Sequence, residues 1–303
     1  MEAIVFEEFG GPEVLHPARV EDPHPGPGQV RLRIRAAAVN PMDYKIRRGW
    51  MEDVFSTSLP AVPGVEGAGV VDALGEGVTG FAVGDEVLGW TATGSYAEYA
   101  LAAASLIARK PPGLDWQDAA ALTIAASTAQ RVLDELAVAS GETLLLHGAA
   151  GAVGTAAVQL AVARGATVIG TASPANHDYL RVLGATPVTY GDGLVGRVRE
   201  AAPQGVDAVF DASGRGALPD SVELRGGTTD RIVTIADPDA AKYGVAFSGG
   251  GSRSGEQLAE HARRAAAGEL RVPVAAALSL EEAARAQELS ERGHVRGKLV
   301  LLP

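Results

Sequence analysis

The stretch TLLLHGAAGAVGTAAVQLAVARGATVIGT, from Thr143 to Thr171, constrains this chain more than any other. An apolar run enters a glycine-rich turn, good helix formers follow without a breaker until Gly165, and a second apolar run closes the segment. That order predicts strand, turn, helix and strand, the unit that builds parallel sheets. Gly148, Gly151 and Gly154 permit a sharp turn, a close backbone approach to a pyrophosphate and tight packing of the helix on the strand. The start of the helix attracts the anion. The spacing is GxxGxxG, because Ala149 stands at the first glycine position of GxGxxG. In this context Gly148, Ala149, Ala150, Gly151, Ala152, Val153 and Gly154 form a candidate dinucleotide-binding loop. The alternative is a glycine-rich turn of an α/β protein that binds no nucleotide.

Specificity is read at the end of the second strand, where NAD enzymes usually carry an acid for the ribose 2′-hydroxyl. Here the sequence is Gly170-Thr171-Ala172-Ser173, without a carboxylate, and Ser173, Asn176 and His177 offer hydrogen-bond donors. This favours NADPH as cofactor. The same three residues could simply cap the next helix, and both roles can coexist.

Strands alternate with helices through the rest of this region: helices at 176–183 and 194–201, strands at 167–171, 187–190, 208–211 and 231–235. Such alternation means a doubly wound parallel sheet, covered by helices on both faces. The first hundred residues read instead as short strands at 3–6, 29–39, 67–74, 86–90 and 96–101, separated by Gly and Pro. An alanine-rich helix from Asp115 to near Gly141 joins the two regions. Helices at 255–267 and 279–292 and a closing strand at 298–302 make up the tail, and a sole terminal strand needs a sheet to join. The division expected is therefore 1–122 with 257–303 as a β-rich domain and 123–256 as the dinucleotide-binding domain.

At 303 residues, two domains are the natural expectation. The formal charge of -11 and the absence of a basic run argue against a nucleic-acid partner. With no cysteine in the chain, disulfides, thiolate metal sites and thiol nucleophiles are excluded. Apolar stretches are interrupted well before the roughly 20 residues that span a bilayer, so no membrane segment is expected. The beginning, MEAIVFEEFGG, lacks the basic region and long apolar core of a signal peptide. A cytoplasmic location is the resulting expectation.

Other motifs add a resemblance that covers nearly the whole chain: GGPEVL at 10–15, PGPGQV at 25–30, VNPMDYKIRRG at 39–49, PGVEGAGVV at 63–71, GDEV at 84–87, GSYAEY at 94–99 and HVRGKLVL at 294–301. With the glycine loop, these motifs resemble the zinc-free quinone oxidoreductase branch of the medium-chain dehydrogenase/reductase superfamily. The resemblance implies α/β architecture, with a GroES-like β-rich catalytic domain split around a Rossmann domain, and a homodimer. Zinc-dependent relatives carry a catalytic Cys and a GHE motif; the matching positions here are Asn40 or its neighbours and Gly64-Val65-Glu66. Val65 cannot ligate a metal, and the histidines lack close pairing, so no metal site is expected.

By the same resemblance, Asn40 matches an asparagine near the nicotinamide and substrate, and Tyr44 with Lys45 could fill the aromatic position nearby or lie on a surface loop. Thr128 matches a cofactor-contacting threonine, Tyr190 an adenine-side tyrosine, and Phe247 and Gly249 a segment that closes over the nicotinamide. Glu66 reads as structural, a carboxylate among turn glycines that accepts backbone N–H bonds. Many relatives have Lys or Arg just after the serine of the second strand, whereas Ser173 to His177 contains no permanent cation. His177 could supply the missing charge, since an unperturbed histidine titrates near pH ~6.5.

The activity implied is transfer of hydride from NADPH to a small electrophilic acceptor, a quinone, with the protein supplying distance, orientation and exclusion of water. Reduction of an activated C=C bond in an enal, enone or enoyl thioester is the alternative chemistry. A third possibility is an NADPH-binding sensor or structural protein without significant turnover.

Overall fold

The computed structural model describes residues 1–54 and 56–303. In chain order the first elements are β1 (Glu2–Val5), β2 (His16–Arg19), β3 (Gln29–Val39), α1 (Pro41–Arg47), β4 (Glu66–Leu74), β5 (Glu86–Trp90), β6 (Tyr99–Ala103), β7 (Ile107–Arg109) and α2 (Trp116–Glu135). Next come β8 (Thr143–His147), α3 (Ala152–Ala163), β9 (Thr167–Ala172), α4 (His177–Val182), β10 (Thr186–Thr189), α5 (Leu194–Ala201) and β11 (Ala208–Asp211). The chain ends with α6 (Leu218–Leu224), β12 (Ile232–Thr234), β13 (Ala246–Phe247), α7 (Gly255–Ala266), β14 (Val274–Ser279), α8 (Ala283–Arg292) and β15 (Lys298–Leu302). Two compact units result, one formed by 1–124 with 253–303 and the other by 125–252, so the chain changes unit within α2.

The first unit is β-rich. Its main sheet runs β14-β15-β3-β4-β5-β7, with β6 on β3, and a separate ladder joins β1 to β2. β3 anchors this sheet because its eleven residues, QVRLRIRAAAV, are long enough to pair with β4, β6 and β15 along their length. Its first half alternates buried and more exposed positions, whereas Ala36 to Val39 are continuously buried, as expected of a strand covered on both faces. The closing strand β15 pairs antiparallel with Ala37 to Val39. Ile4, Phe6, Leu32, Val71, Tyr96, Leu299 and Leu301 are among the side chains of its core.

The second unit is a six-stranded parallel sheet in the order β10-β9-β8-β11-β12-β13. Starting from β8, successive strands are added on one side and then, from β11, on the other. Two crossovers therefore leave from adjacent strands in opposite directions, and the carboxyl ends of β8 and β11 mark the switch point at which open α/β sheets take ligands. Leu145, Ile169, Val198, Val209, Leu218 and Ile232 fill the core of this unit.

Several elements escape a pattern reading. The helix α1 is one: Asn-Pro reads as a turn, yet Pro41 occupies the first helical turn, where a missing N–H costs nothing, and Asn40 and Asp43 close a capping box. β14, VAAALS, has alanines where a strand signal needs larger residues. The helix expected from Ser279 begins as a tight 3-10 turn at Leu280–Glu282 and becomes α-helical at Ala283.

Candidate functional site

In the second unit the parallel pairings put strand ends in a row. Leu146 opposes Gly170, Thr189 opposes Ala172, Asp211 opposes His147 and Thr234 opposes Phe247. The segments that begin at Tyr190, Ser173, Gly148 and Ala212 therefore leave the same edge of the sheet side by side. Gly148 takes a φ of +74°, which an L side chain rarely adopts. A Cβ at Gly154 would lie 2.2 Å from Gly148 O, so the helix approaches the backbone of the loop as closely as backbone permits. Gly151 is the N-cap of α3 and has no side chain to satisfy the first N–H groups, and no side-chain cap is made. The N–H groups opening α3, at Ala152 and Val153, are thus presented to an anion with the helix dipole behind them.

Ala149 is fully buried, and its N–H donates to Thr171 O at 3.1 Å. Its methyl group lies 2.9 Å from where a Cβ at Gly170 would sit. Gly170 is therefore what makes room for alanine at the first glycine position of the motif, and with this side chain buried the loop offers backbone rather than a methyl group.

Under the loop runs a chain of buried hydrogen bonds. Ser221 Oγ donates to Ala217 O at 2.7 Å, so it is left to accept from His147 Nε2 at 3.0 Å. His147 Nδ1 then carries the lone pair and accepts from Thr171 Oγ1 at 3.3 Å, and Thr171 Oγ1 in turn accepts from the N–H of Gly148 at 3.3 Å. Burial pushes the His147 imidazolium down from its ordinary range, with Asp211 and Asp220 opposing, which keeps the neutral tautomer this chain requires. Asp211 ends β11 and accepts from Ser213, Gly214 and Thr234, which shapes the neighbouring turn.

At the end of β9, Asn176 Nδ2 donates to Ser173 Oγ at 3.2 Å and His177 Nε2 lies 3.4 Å from Thr189 Oγ1. Neither Ser173 nor Asn176 makes a side-chain cap bond to the following helical turn. Tyr190 and Phe247 are about half exposed, Thr128 is half-buried on α2, and Gly249 lies just beyond β13.

In the first unit, Asn40 caps α1 and sits in a buried polar network. Its Nδ2 donates to Glu66 Oε1 at 2.9 Å, and its Oδ1 accepts from Lys298 Nζ at 2.6 Å. Lys298 also pairs with Glu66 Oε1 at 2.8 Å, and Glu66 Oε2 accepts the N–H of Ile124 at 2.6 Å. All three residues are almost fully buried, at 4%, 0% and 4% exposure for Asn40, Glu66 and Lys298. Beside them Asp43 Oδ2 accepts from the N–H of Asn40 at 2.9 Å and from Tyr96 OH at 2.8 Å. Burial raises the Asp43 carboxyl to about 6, with the two hydrogen bonds and Lys298 opposing, and raises Tyr96 well above its usual value. Tyr44 makes an edge-on contact with Trp50, centroids 6.3 Å apart, and burial lowers the Lys45 ammonium.

The comparisons with known proteins agree with this geometry. Residues 26–112 match the family model described as alcohol dehydrogenase GroES-like domain, and 183–301 match the one described as zinc-binding dehydrogenase. Across 327 aligned positions the chain is 34% identical to the quinone oxidoreductase of Sus scrofa, covering 100% of this chain and 98% of that one. The chain belongs to the quinone oxidoreductase branch of the medium-chain dehydrogenase/reductase superfamily. It spans about half the length of the first curated relatives it matches. Among solved structures, the quinone oxidoreductase from Coxiella burnetii superimposes with a TM-score of 0.91 at 33% identity, covering 100% of this chain and 99% of that one. The Escherichia coli quinone oxidoreductase complexed with NADPH gives 0.87 at 26% identity, with 100% of both chains covered.

As a member of this superfamily, the chain has a GroES-like domain and a Rossmann-type parallel sheet, the fold class its motifs imply. Among the described residues, no group of three or more His, Cys, Asp or Glu side chains converges as a metal-binding cluster. Nor is any helix among them long and apolar enough to cross a membrane.

The structure brings Gly148 to Gly154, Ser173 and Tyr190 to one edge of the sheet, and groups Asn40 with Glu66. Lys298, Gly170, His147 and Thr171 emerge as their supports. Lys298 lies inside the HVRGKLVL motif and Gly170 inside the second strand, so both stood within recognised segments. Their partners, distant in the chain, carry no local signal.

Proposed function

We propose that this chain is an NADPH-dependent oxidoreductase that delivers hydride to a quinone without a metal ion. The observation that carries the reading is the start of α3: uncapped N–H groups and three glycines placed where the strand order of the parallel sheet reverses. These residues fit a dinucleotide. A side chain at Gly154 would strike Gly148 O, and no side chain competes for the N–H groups of Ala152 and Val153.

When bound, the coenzyme supplies the hydride at its nicotinamide C4. Gly151, Ala152 and Val153 hold the pyrophosphate, and His147, through Thr171, fixes the direction of the Gly148 N–H. Ser173, Asn176 and His177 offer donors to the ribose 2′-phosphate, and Tyr190 offers a half-exposed ring to the adenine. Thr128, Phe247 and Gly249 serve the nicotinamide end. Asn40 has its amide immobilised by Lys298 and Glu66, and with Tyr44 and Lys45 it orients the acceptor.

Metal independence is supported by the donor set. The chain has no cysteine, Val65 stands where zinc-dependent relatives have histidine, and Asn40 Oδ1 and Glu66 Oε1 are both taken by the Lys298 ammonium while Glu66 Oε2 is taken by the N–H of Ile124. The NADPH carried by the Escherichia coli structure supports the coenzyme assignment. We take the protein to be a homodimer, as the resemblance implies, and cytoplasmic, as the expectation from its sequence has it.

Titration of the full chain with NADPH and NADH, followed by coenzyme oxidation with a quinone, a short enone and an enoyl thioester, tests the reading. NADPH is expected to bind more tightly and the quinone to be turned over fastest. Fastest turnover of the enone or thioester would reassign the reaction to C=C reduction. Tight NADPH binding without turnover of any acceptor would make the protein a sensor.

A further inference from the structure

We propose that Arg197 supplies the permanent positive charge that distinguishes the 2′-phosphate of NADPH from the 2′-hydroxyl of NADH. This rests on the NADPH reading above and names the residue responsible for it.

The segment after β9, Ser173 to His177, holds no lysine or arginine. The helix that follows the strand beside β9 does bring one. Pairing of Thr189 with Ala172 lays the turn after β10 alongside the turn after β9, and the contact of His177 with Thr189 joins them. One turn into α5, Arg197 reaches back to that junction. Its Nε donates to Thr189 O at 2.9 Å, one terminal nitrogen to Asp192 O at 2.8 Å, and the other to Gly191 O at 3.0 Å and Tyr190 O at 3.5 Å. His177, Thr189, Arg197 and Glu200 line one groove of about 260 Å³.

Every one of those partners is a neutral carbonyl. Among the described residues, Arg197 forms no ion pair within 4 Å, although Glu200 shares the groove. A guanidinium has five N–H groups, and four acceptors leave at least one of them free. The carbonyls fix the fork without neutralising it, and a pre-organised arginine is the side chain best suited to a phosphate. Tyr190, the residue expected against the adenine, lies in the turn that Arg197 holds, so coenzyme at this edge would meet the charge.

A role confined to clamping the turn is the competing explanation, and it predicts a different pattern. Dissociation constants for NADPH and NADH are measured by calorimetry on the full chain as wild type, Arg197→Gln and Arg197→Lys. The wild-type ratio tests the coenzyme reading by itself: absence of an NADPH preference overturns that reading and this proposal with it. Given a preference, Arg197→Gln is expected to weaken NADPH about ten-fold or more while NADH stays within about two-fold. Equal weakening of both coenzymes, or no change in either, overturns the role of Arg197 and leaves the NADPH reading standing. Should the glutamine variant not fold, Arg197→Lys decides: it keeps the charge but not the fork, so most of the NADPH preference persists although the turn is less firmly held. Loss of that preference with unchanged NADH affinity overturns a role based on charge.

Discussion

Lys298 Nζ lies 2.6 Å from Asn40 Oδ1, joining the last strand of the β-rich unit to the cap of α1 across 258 positions of sequence. The same ammonium is the counter-ion of Glu66, which has no exposed surface. Removing one partner of a buried pair leaves the other charge uncompensated, a cost of about 3–5 kcal/mol. Lys298→Met should therefore destabilise the chain by about that much in denaturant melts. Lys298→Met with Glu66→Gln should lose distinctly less than the two single variants added together. A single-variant loss under about 1 kcal/mol would mean the pair contributes no more than a surface ion pair.

Asp43 gives this network a pH dependence. Its folded carboxyl is raised to about 6 from 3.8 by burial, and Oδ1 has no partner among the described residues. The folded state thus holds a proton that the unfolded state releases, and the associated stability is fully present below about pH 4 and lost as pH rises through 6. Asp43→Asn keeps an oxygen for the Asn40 N–H and the Tyr96 hydroxyl but does not titrate. The stability of wild type relative to Asp43→Asn should fall by on the order of 2 kcal/mol between pH 4 and pH 7. Parallel stability curves over that range would place the titration elsewhere.

How far these features were legible in sequence depends on the range of the interaction. The run from Thr143 to Thr171 announced its strand, turn and helix because periodicity and glycine placement are local. Asn40 and Glu66 could be picked out from motifs, but their common partner Lys298 could not be, because nothing local records a contact between strand β15 and the cap of α1. Ala149 looked like a departure from the glycine motif until Gly170 was seen to vacate the space beside it. The small helix α1 was hidden by Asn-Pro, a pair that signals a turn and also happens to be a good helix entrance.

The glycines of the loop should separate by role. At Gly151 the backbone has φ -73°, and an added Cβ would meet only Gly148 O at 3.4 Å. Gly151→Ala should fold with a stability loss under about 1 kcal/mol and yet weaken coenzyme, because the proposed pyrophosphate site is formed by the N–H groups beside this methyl. At Gly154 the added atom lies 2.2 Å from Gly148 O, a backbone atom that cannot step aside. Gly154→Ala should therefore lower both thermal stability and coenzyme affinity. Thermal melts with and without NADPH check this contrast, and equal behaviour of the two variants would contradict the separate roles.

His147 should make the coenzyme unit sensitive to acid, with a sign opposite to that of Asp43. Burial lowers its imidazolium below the ordinary value of 6.5, so the unfolded chain takes up a proton that the folded chain refuses. Its contribution is present above that ordinary value and is lost as pH falls below it, at up to about 1.4 kcal/mol per pH unit. His147→Asn removes the titration, so the stability of wild type relative to this variant should decline from pH 7 to pH 5. The relay from Ser221 to Gly148 adds a second, independent readout. If neutral His147 carries its proton on Nε2, nitrogen NMR of labelled protein at pH 7.5 shows that tautomer, and Ser221→Ala shifts the signal. A proton found on Nδ1 would reverse the hydrogen-bond chain and detach His147 from the orientation of the loop.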